Sequence, residues 1–307
     1  MAYNGAFKKE IEQIVPGRIR WHELMAHHTS MGVGGTADLF IEPGNVDELR
    51  KALACLVGYS IPFVPVGNCT NLIVRDGGYR GAIISLRGMG TVDIKLNGQG
   101  NGFIYGEAGV ALSRLVELTV RECFTGMEFC AGIPGSIGGA VKMNAGAYGS
   151  ELKDVIAEVT VIDRNGIIAA KRRGDLSFEY RNLVMEEESI IVSAVFGLQE
   201  GDEEQIRKRI AEIISMRKQK HPLGYRNAGS IFKNPKPVPA GKIIDDLGLK
   251  GSRVGDAQIS EQHGNFIINL GSATCRDIIR LIDYITKRVV EETGISLETE
   301  IKIIGDV

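Results

Sequence analysis

The stretch Gly132-Ile133-Pro134-Gly135-Ser136-Ile137-Gly138-Gly139-Ala140 is followed by Val141-Lys142 and then by Met143-Asn144-Ala145-Gly146-Ala147-Tyr148-Gly149. Six glycines fall between 132 and 149. Backbone of this kind can come within hydrogen-bond distance of a ligand with no side chain in between. A helix start at Ser136 or Ile137 is predicted, with its N-terminus presented to negative charge. A run of tight turns is the rival reading, and the glycine density together with Asn144 weighs against it. A second segment has the same character: Pro65-Val66-Gly67-Asn68-Cys69-Thr70-Asn71-Leu72, at the end of an apolar run. A turn there can aim successive N–H groups at an anion, with Thr70 and Asn71 adding side-chain donors. A plain turn accounts for this segment equally well.

The whole chain shares this glycine enrichment. Glycine makes up 39 of 307 residues, about 13% against a usual ~7%, without a collagen period. The length predicts two or three domains. A net charge of −2 argues against a nucleic-acid binder held by a basic field and against a membrane-surface protein. No apolar run is long enough to span a bilayer. The first residues lack the apolar core of a secretory leader. Cys55, Cys69, Cys123, Cys130 and Cys275 are scattered, with no CxxC, so reduced thiols and a cytoplasmic location are expected and no metal site is.

Periodicity gives a mixed helix and strand pattern. Residues 1–20 read as a short charged helix, a lid or appendage. Asp38–Ile41, Ile61–Val66, Ala82–Leu86 and Phe103–Tyr105 read as strands. Asn45 with Glu48 forms a capping-box pattern ahead of a helix bearing Val46, Leu49, Leu53 and Leu56 on one face. Arg164-Asn165-Gly166 between alternating runs predicts a hairpin. Ile190–Leu198 predicts a strand buried on both faces. Asp202 and Gln205 start a helix carrying Ile206, Ile210, Ile213 and Ile214. Thr274 starts a last one, with Ile278, Ile282, Ile285 and Val289 on one face and Gly294 as its stop. Ser296–Ile304 reads as a closing strand. Gly32-Val33-Gly34-Gly35-Thr36-Ala37 formally matches a dinucleotide fingerprint. A strand-like run follows it where a helix is required, so that reading is rejected.

In order along nearly the whole chain stand His28-Thr29-Ser30-Met31-Gly32-Val33-Gly34-Gly35, Gly67 to Asp76, Gly132 to Gly149, Tyr180-Arg181-Asn182, Asn227 to Pro235, Ala240 to Ile244 and Leu297 to Lys302. In these segments the chain resembles the UDP-N-acetylenolpyruvoylglucosamine reductase family, in its shorter subtype. The resemblance implies an α+β fold: a two-part FAD-binding domain of the vanillyl-alcohol oxidase type, then a smaller α/β substrate-binding domain. The boundaries expected are a helical segment 1–27, FAD-binding subdomains at about 28–88 and 89–200, and a substrate domain 201–307. It implies non-covalent FAD, NADPH as co-substrate and a UDP-linked amino sugar enol ether as substrate, with no nucleic acid or membrane partner. The implied reaction makes UDP-N-acetylmuramate for peptidoglycan synthesis.

Carried onto this sequence, the cofactor-binding residues are Gly67, Asn68, Cys69, Thr70 and Asn71, then Ile133, Pro134, Gly135, Ser136, Gly138, Gly139, Asn144, Ala145 and Gly146. One departure stands out: where the family reads Gly-x-Gly-Ser-Asn, this chain has Gly67-Asn68-Cys69-Thr70-Asn71. A positive φ at Cys69 would be strained. Arg181 matches the arginine that stabilises charge on the substrate carboxylate; taken singly, a surface ion-pair residue is the favoured reading. Ser230 matches the proton donor, and a serine needs polarising neighbours for that task. Glu300 matches the acid near the carboxylate and must carry a proton to donate a hydrogen bond; a solvated strand face is the bland alternative. Lys218, Lys233 and Asn234 match substrate contacts, although Lys218 is equally a dipole partner in the last turn of a helix. His263 is left outside the catalytic set. A flavin oxidase of different substrate and a non-catalytic nucleotide-sugar binder remain the competing functions.

Overall fold

The computed structural model of the chain describes residues 3–96 and 101–307. These divide into two compact units, each assembled from three stretches. The first takes Met1–Trp21, Leu39–Asn68 and Gly81–Ser215; the second takes His22–Asp38, Cys69–Arg80 and Met216–Val307. This division departs from a single cut near residue 200. The reason lies in one core: Met31, Val33 and Ile73 bury their side chains among Phe232, Ile243, Ile278 and Ile301. Apolar side chains from early in the chain thus belong with its C-terminal part.

In the first unit, helix α1 (Gly5–Ile14) packs with α2 (Val46–Gly58). Phe7, Ile11 and Val15 are enclosed with Leu49, Leu53, Leu56, Phe63 and Ile84. The Phe7 ring also meets Tyr3, Trp21 and Tyr59 at centroid distances of 5.3, 6.0 and 5.2 Å. The segment expected as a lid or appendage is therefore part of the core. Asn45 caps α2 by accepting from Glu48 N at 2.9 Å. Glu48 does not complete the box. Its carboxylate accepts instead from Gly44 N at 2.8 Å and from Arg18 at 2.7 Å. Phe63–Val66 runs parallel to Tyr79–Ser85, with Val66 opposite Ser85.

The larger sheet of this unit is antiparallel, in the order Ile168–Arg172, Ile156–Ile162, Ile190–Glu200, Asn101–Glu107 and Val92–Leu96. Ile190–Glu200 lies central, as its unbroken apolar run requires. The expected hairpin is present, with Gly166 at φ +81° in its turn. Helix α3 (Leu112–Arg121) and the short α4 (Ile137–Lys142) complete the unit. α5 (Glu203–Lys220) follows, its first turn capped by Asp202, which accepts from Gln205 N.

The second unit holds a sheet in the order Arg226–Asn227, Ile267–Asn269, Ala257–Ile259 and Arg253–Val254, together with α6 (Ala240–Asp246) and α7 (Cys275–Thr293). α7 starts on a Thr274–Asp277 capping box and stops at Gly294, φ +71°. Asp76 strengthens that start, accepting from Cys275 N and Arg276 N at 3.0 and 2.9 Å. The expected closing strand is broken in two. Thr299 bridges Phe232, and only Lys302–Ile304 forms a strand, parallel to Leu72–Val74. Two different partners claim successive parts of one extended segment.

Because Phe7 is 1% exposed, Phe7→Ala is expected to cost about 3–5 kcal/mol, read from the urea unfolding midpoint. A loss below ~1 kcal/mol would return α1 to an appendage.

Candidate active site

The Gly67 segment lies against the Ser136 side chain: a Cβ placed on Gly67 would stand 2.0 Å from Ser136 Oγ, so a larger residue there would have to displace that hydroxyl. Ser136 is 1% exposed and its hydroxyl finds no hydrogen-bond partner. Gly132 and Gly135 have φ of +72° and +141°. Gly132, Pro134 and Gly139 are exposed, and the Cβ position of Gly139 meets nothing nearer than 3.8 Å. The expectation of an anion at the N-terminus of α4 needs correcting. The first amides of that helix are spent: Ile137 N donates to Val110 O at 2.8 Å and Gly138 N to Ala108 O at 2.9 Å. A six-residue helix so committed contributes little free positive end.

The second half of the stretch is built differently. Gly146–Ala147 pairs with Ser150–Glu151 through the turn Tyr148-Gly149, both at positive φ, the geometry of a tight hairpin turn. Asn144 is fully enclosed. Its Nδ2 donates to Glu151 Oε2 at 3.0 Å and Glu179 O at 3.2 Å, and its Oδ1 accepts from Lys153 N at 3.0 Å. Both N–H donors of this side chain are taken, while its oxygen keeps one acceptor lone pair beside the bond from Lys153 N. Ala145 and Gly146 are half-buried. Arg181 sits in the turn between Phe178–Glu179 and Asn182–Leu183, at φ +60°.

The second unit gathers the remaining residues. Cys69 has φ +50°, so it keeps a left-handed backbone at the position where the resemblance places a glycine. Its carbonyl accepts from Ser30 N at 3.3 Å, and the Ser30 hydroxyl donates to Asn227 O at 2.7 Å. Asn71 Nδ2 donates to Glu300 O at 3.0 Å, and Asn71 O accepts from Lys302 N at 3.0 Å. Glu300 N donates to Ile231 O, and Lys233 N to Glu298 O, each at 2.8 Å. Asn71, Ser230 and Glu300, distant in sequence, are thus neighbours through their backbones. Both Ser230 and Glu300 are half-buried. Lys233 forms an ion pair with Glu298, Asn234 Oδ1 accepts from Ala240 N at 3.1 Å at the start of α6, and Lys218 is exposed on the last turn of α5. Arg181 belongs to the first unit, Ser230 and Glu300 to the second.

A sequence 48% identical, named UDP-N-acetylenolpyruvoylglucosamine reductase, comes from Syntrophus aciditrophicus; the match covers 97% of this chain and 96% of the relative. Another of that name, from Caldanaerobacter subterraneus, is 43% identical over 96% of each. The chain belongs to the UDP-N-acetylenolpyruvoylglucosamine reductase family. The crystal structure of such a reductase from Thermus caldophilus superposes with a TM-score of 0.79 at 35% identity, covering 93% of this chain and 99% of that one. Residues 221–304 match the family's C-terminal domain, and residues 37–170 match an FAD binding domain. The fold is accordingly an α+β FAD-binding architecture with a smaller C-terminal domain. The residues of this reductase-family chain fit a flavin nucleotide: exposed glycine backbone at 132 and 139, half-buried glycine at 135, and a buried serine hydroxyl at 136 left without a protein partner. Among the described residues no cluster of His, Cys, Asp and Glu could hold a metal ion, and no helix is long and apolar enough to cross a membrane.

One residue that holds the segment following Ser230 was not visible in the sequence. Asn265, 3% exposed, accepts from Phe232 N at 2.9 Å through Oδ1 and donates to Phe232 O at 2.8 Å through Nδ2. Its own carbonyl accepts from Ile231 N at 2.9 Å. It acts as a missing strand along the free edge of 231–233, whose other edge pairs with Glu298 and Glu300. An asparagine beside an apolar strand carries no periodic signal that would have marked it. Next to it, His221, His263 and Phe266 pack ring to ring, with centroids 4.9–5.6 Å apart. Burial, with Arg217 adding to it, pushes the His221 imidazole down to about 4; burial also lowers His263.

Removing the Asn265 amide leaves two backbone groups unmet, at about 1–3 kcal/mol each. Asn265→Ala should therefore lose roughly 2–5 kcal/mol in urea unfolding; a loss under ~1 kcal/mol would mean that water substitutes for the amide. Unfolded His221 takes up its proton near 6.5 and the folded one not until about 4. Stability is therefore complete above the first value and falls as pH drops toward the second. Unfolding titrations should show a shallower fall for His221→Phe than for the wild type over that window; equal slopes would contradict the assignment.

Proposed function

We propose that this chain reduces the enolpyruvyl ether of UDP-N-acetylglucosamine enolpyruvate to UDP-N-acetylmuramate, an oxidoreductase step on a C=C bond in peptidoglycan precursor synthesis in the cytoplasm. The observation that supports the reading is the hydrogen bond from Glu300 N to Ile231 O, which brings the backbone beside Ser230 to that of Glu300, in a chain that matches its reductase relatives almost end to end. When bound, FAD relays reducing equivalents from NADPH to the substrate double bond.

The chain's own residues then have three tasks. Gly67, Asn68, Cys69, Thr70 and Asn71 in one segment, and Ile133, Pro134, Gly135, Ser136, Gly138 and Gly139 in the other, hold the cofactor non-covalently, chiefly through main chain, with Gly138 in contact only, since its N–H is held by Ala108 O. Ala145 and Gly146 line it by contact. Arg181 takes the charge that builds on the substrate carboxylate, and Glu300 hydrogen-bonds the same group. A preorganised donor placed where charge develops contributes about 2.7–4 kcal/mol to such a step. Ser230 Oγ gives its proton to the substrate carbon beside the carboxylate. Lys218, Lys233 and Asn234 contact the UDP-sugar. For Lys233 this means exchanging its Glu298 partner; Asn234 keeps its amide N–H groups for the ligand while its oxygen holds α6.

Stopped-flow separation of the half-reactions tests this. Ser230→Ala should leave flavin reduction by NADPH within about twofold and slow substrate reduction by 10²-fold or more, in the range of ~10²–10⁴ for general acid catalysis. Equal slowing of both steps would remove Ser230 from its role, and absence of any turnover of the enol ether by the wild type would end the functional reading.

A further inference from the structure

We propose that Asn144 and Glu151 are positioning residues for Arg181, fixing its turn and the direction of its guanidinium before substrate arrives. The inference rests on the assignment of Arg181 to the substrate carboxylate.

Arg181 occupies the second place in a two-residue turn, at φ +60°. That backbone is unfavourable for an arginine and persists only where neighbours over-determine it. Here the neighbours hold both sides of the turn. Before it, Asn144 Nδ2 donates to Glu179 O at 3.2 Å. After it, Lys142 Nζ donates to Leu183 O at 2.7 Å and Asn182 Oδ1 at 3.2 Å. Across it, Asn182 Nδ2 donates to Glu179 Oε2 at 3.2 Å.

Asn144 cannot swing away from this duty. It is fully enclosed, at φ +42°, and its second amide proton and its oxygen are taken by Glu151 and by Lys153 N. Glu151 is returned to Asn144 by the Tyr148-Gly149 turn, in register with Gly146. Only glycine fits at 146, since a Cβ there would stand 2.7 Å from Glu151 Cγ. The Glu151 carboxyl is held below the usual range by its hydrogen bond from Lys153, against burial, with Asn144 and the charges of Lys153 and Arg181 adding to the effect. An anion thus stands at a fixed place within electrostatic reach of the guanidinium. Asn144 sets where the turn sits; Glu151 biases where the planar fork of Arg181 points, so less side-chain order is lost when a carboxylate binds. In this assignment Asn144 and Glu151 serve an arginine, and the 132–139 half, with Ala145 and Gly146, serves the cofactor.

The test is a double-mutant cycle on the purified flavoprotein, with both half-reactions measured by stopped flow. Glu151→Gln and Asn144→Ala should each slow reduction of the UDP-linked enol ether tenfold or more, with NADPH-driven flavin reduction within twofold of wild type. In an Arg181→Ala background the same changes should add less than twofold, because the group they orient is gone. Glu151→Gln is nearly isosteric and keeps the test decisive should Asn144→Ala not fold. Full additivity with Arg181→Ala, or equal slowing of both half-reactions, overturns the proposal. If Arg181→Ala alone leaves enol ether reduction unchanged, the role of Arg181 falls, and the proposal with it.

Discussion

Irregular backbone can be buried only if its N–H and C=O groups find partners, and in this chain two enclosed asparagines supply them. Asn265 satisfies both polar groups of Phe232, and Asn144 satisfies Glu179 O and Lys153 N. The residues assigned to chemistry lie on the segments so held: Ser230 just before Phe232, and Arg181 just after Glu179. An amide side chain suits this work because it presents a donor and an acceptor together, as a neighbouring strand would. It delivers them at one point without a strand's length or regularity. Reactive side chains can therefore sit where the backbone bends while remaining tied to rigid elements.

The glycine enrichment divides by the same logic. Some glycines admit a close approach: Gly67 to Ser136, and Gly146 to Glu151. Others carry a backbone conformation that a Cβ resists, as at Gly132 and Gly135. Cys69, Asn144 and Arg181 adopt positive φ without being glycine, and each is anchored by hydrogen bonds to its own or adjacent groups. At these three positions the strain falls in segments assigned to cofactor and substrate, where a fixed direction matters more than the lowest local energy.

Each unit also draws on distant sequence to finish a local element. Asp76 completes the start of α7, Leu72–Val74 receives the closing strand, and Ser30 ties the Cys69 turn to Asn227. Such long-range pairings explain why a boundary at a single residue does not describe the chain. The polar loops that look independent in sequence are the partners that regular elements lack at their ends.

Helix starts and stops, the central apolar strand, the Asn-Gly hairpin and the two glycine segments could all be read from local residue order, because capping, periodicity and turn chemistry act over a few neighbours. The motif order was enough for the family and so for FAD. What local order could not reveal was which buried groups would be left without partners once the chain closed on itself. Glu48 leaves its capping box for Gly44 N, one residue before the cap, because Arg18 arrives from a distant stretch to hold its carboxylate there. The N-terminal amides of α4 are consumed by Val110 and Ala108 for the same reason. Asn144, Glu151 and Asn265 acquire their roles only through hydrogen bonds made in the folded chain, which carry no signature of spacing or composition.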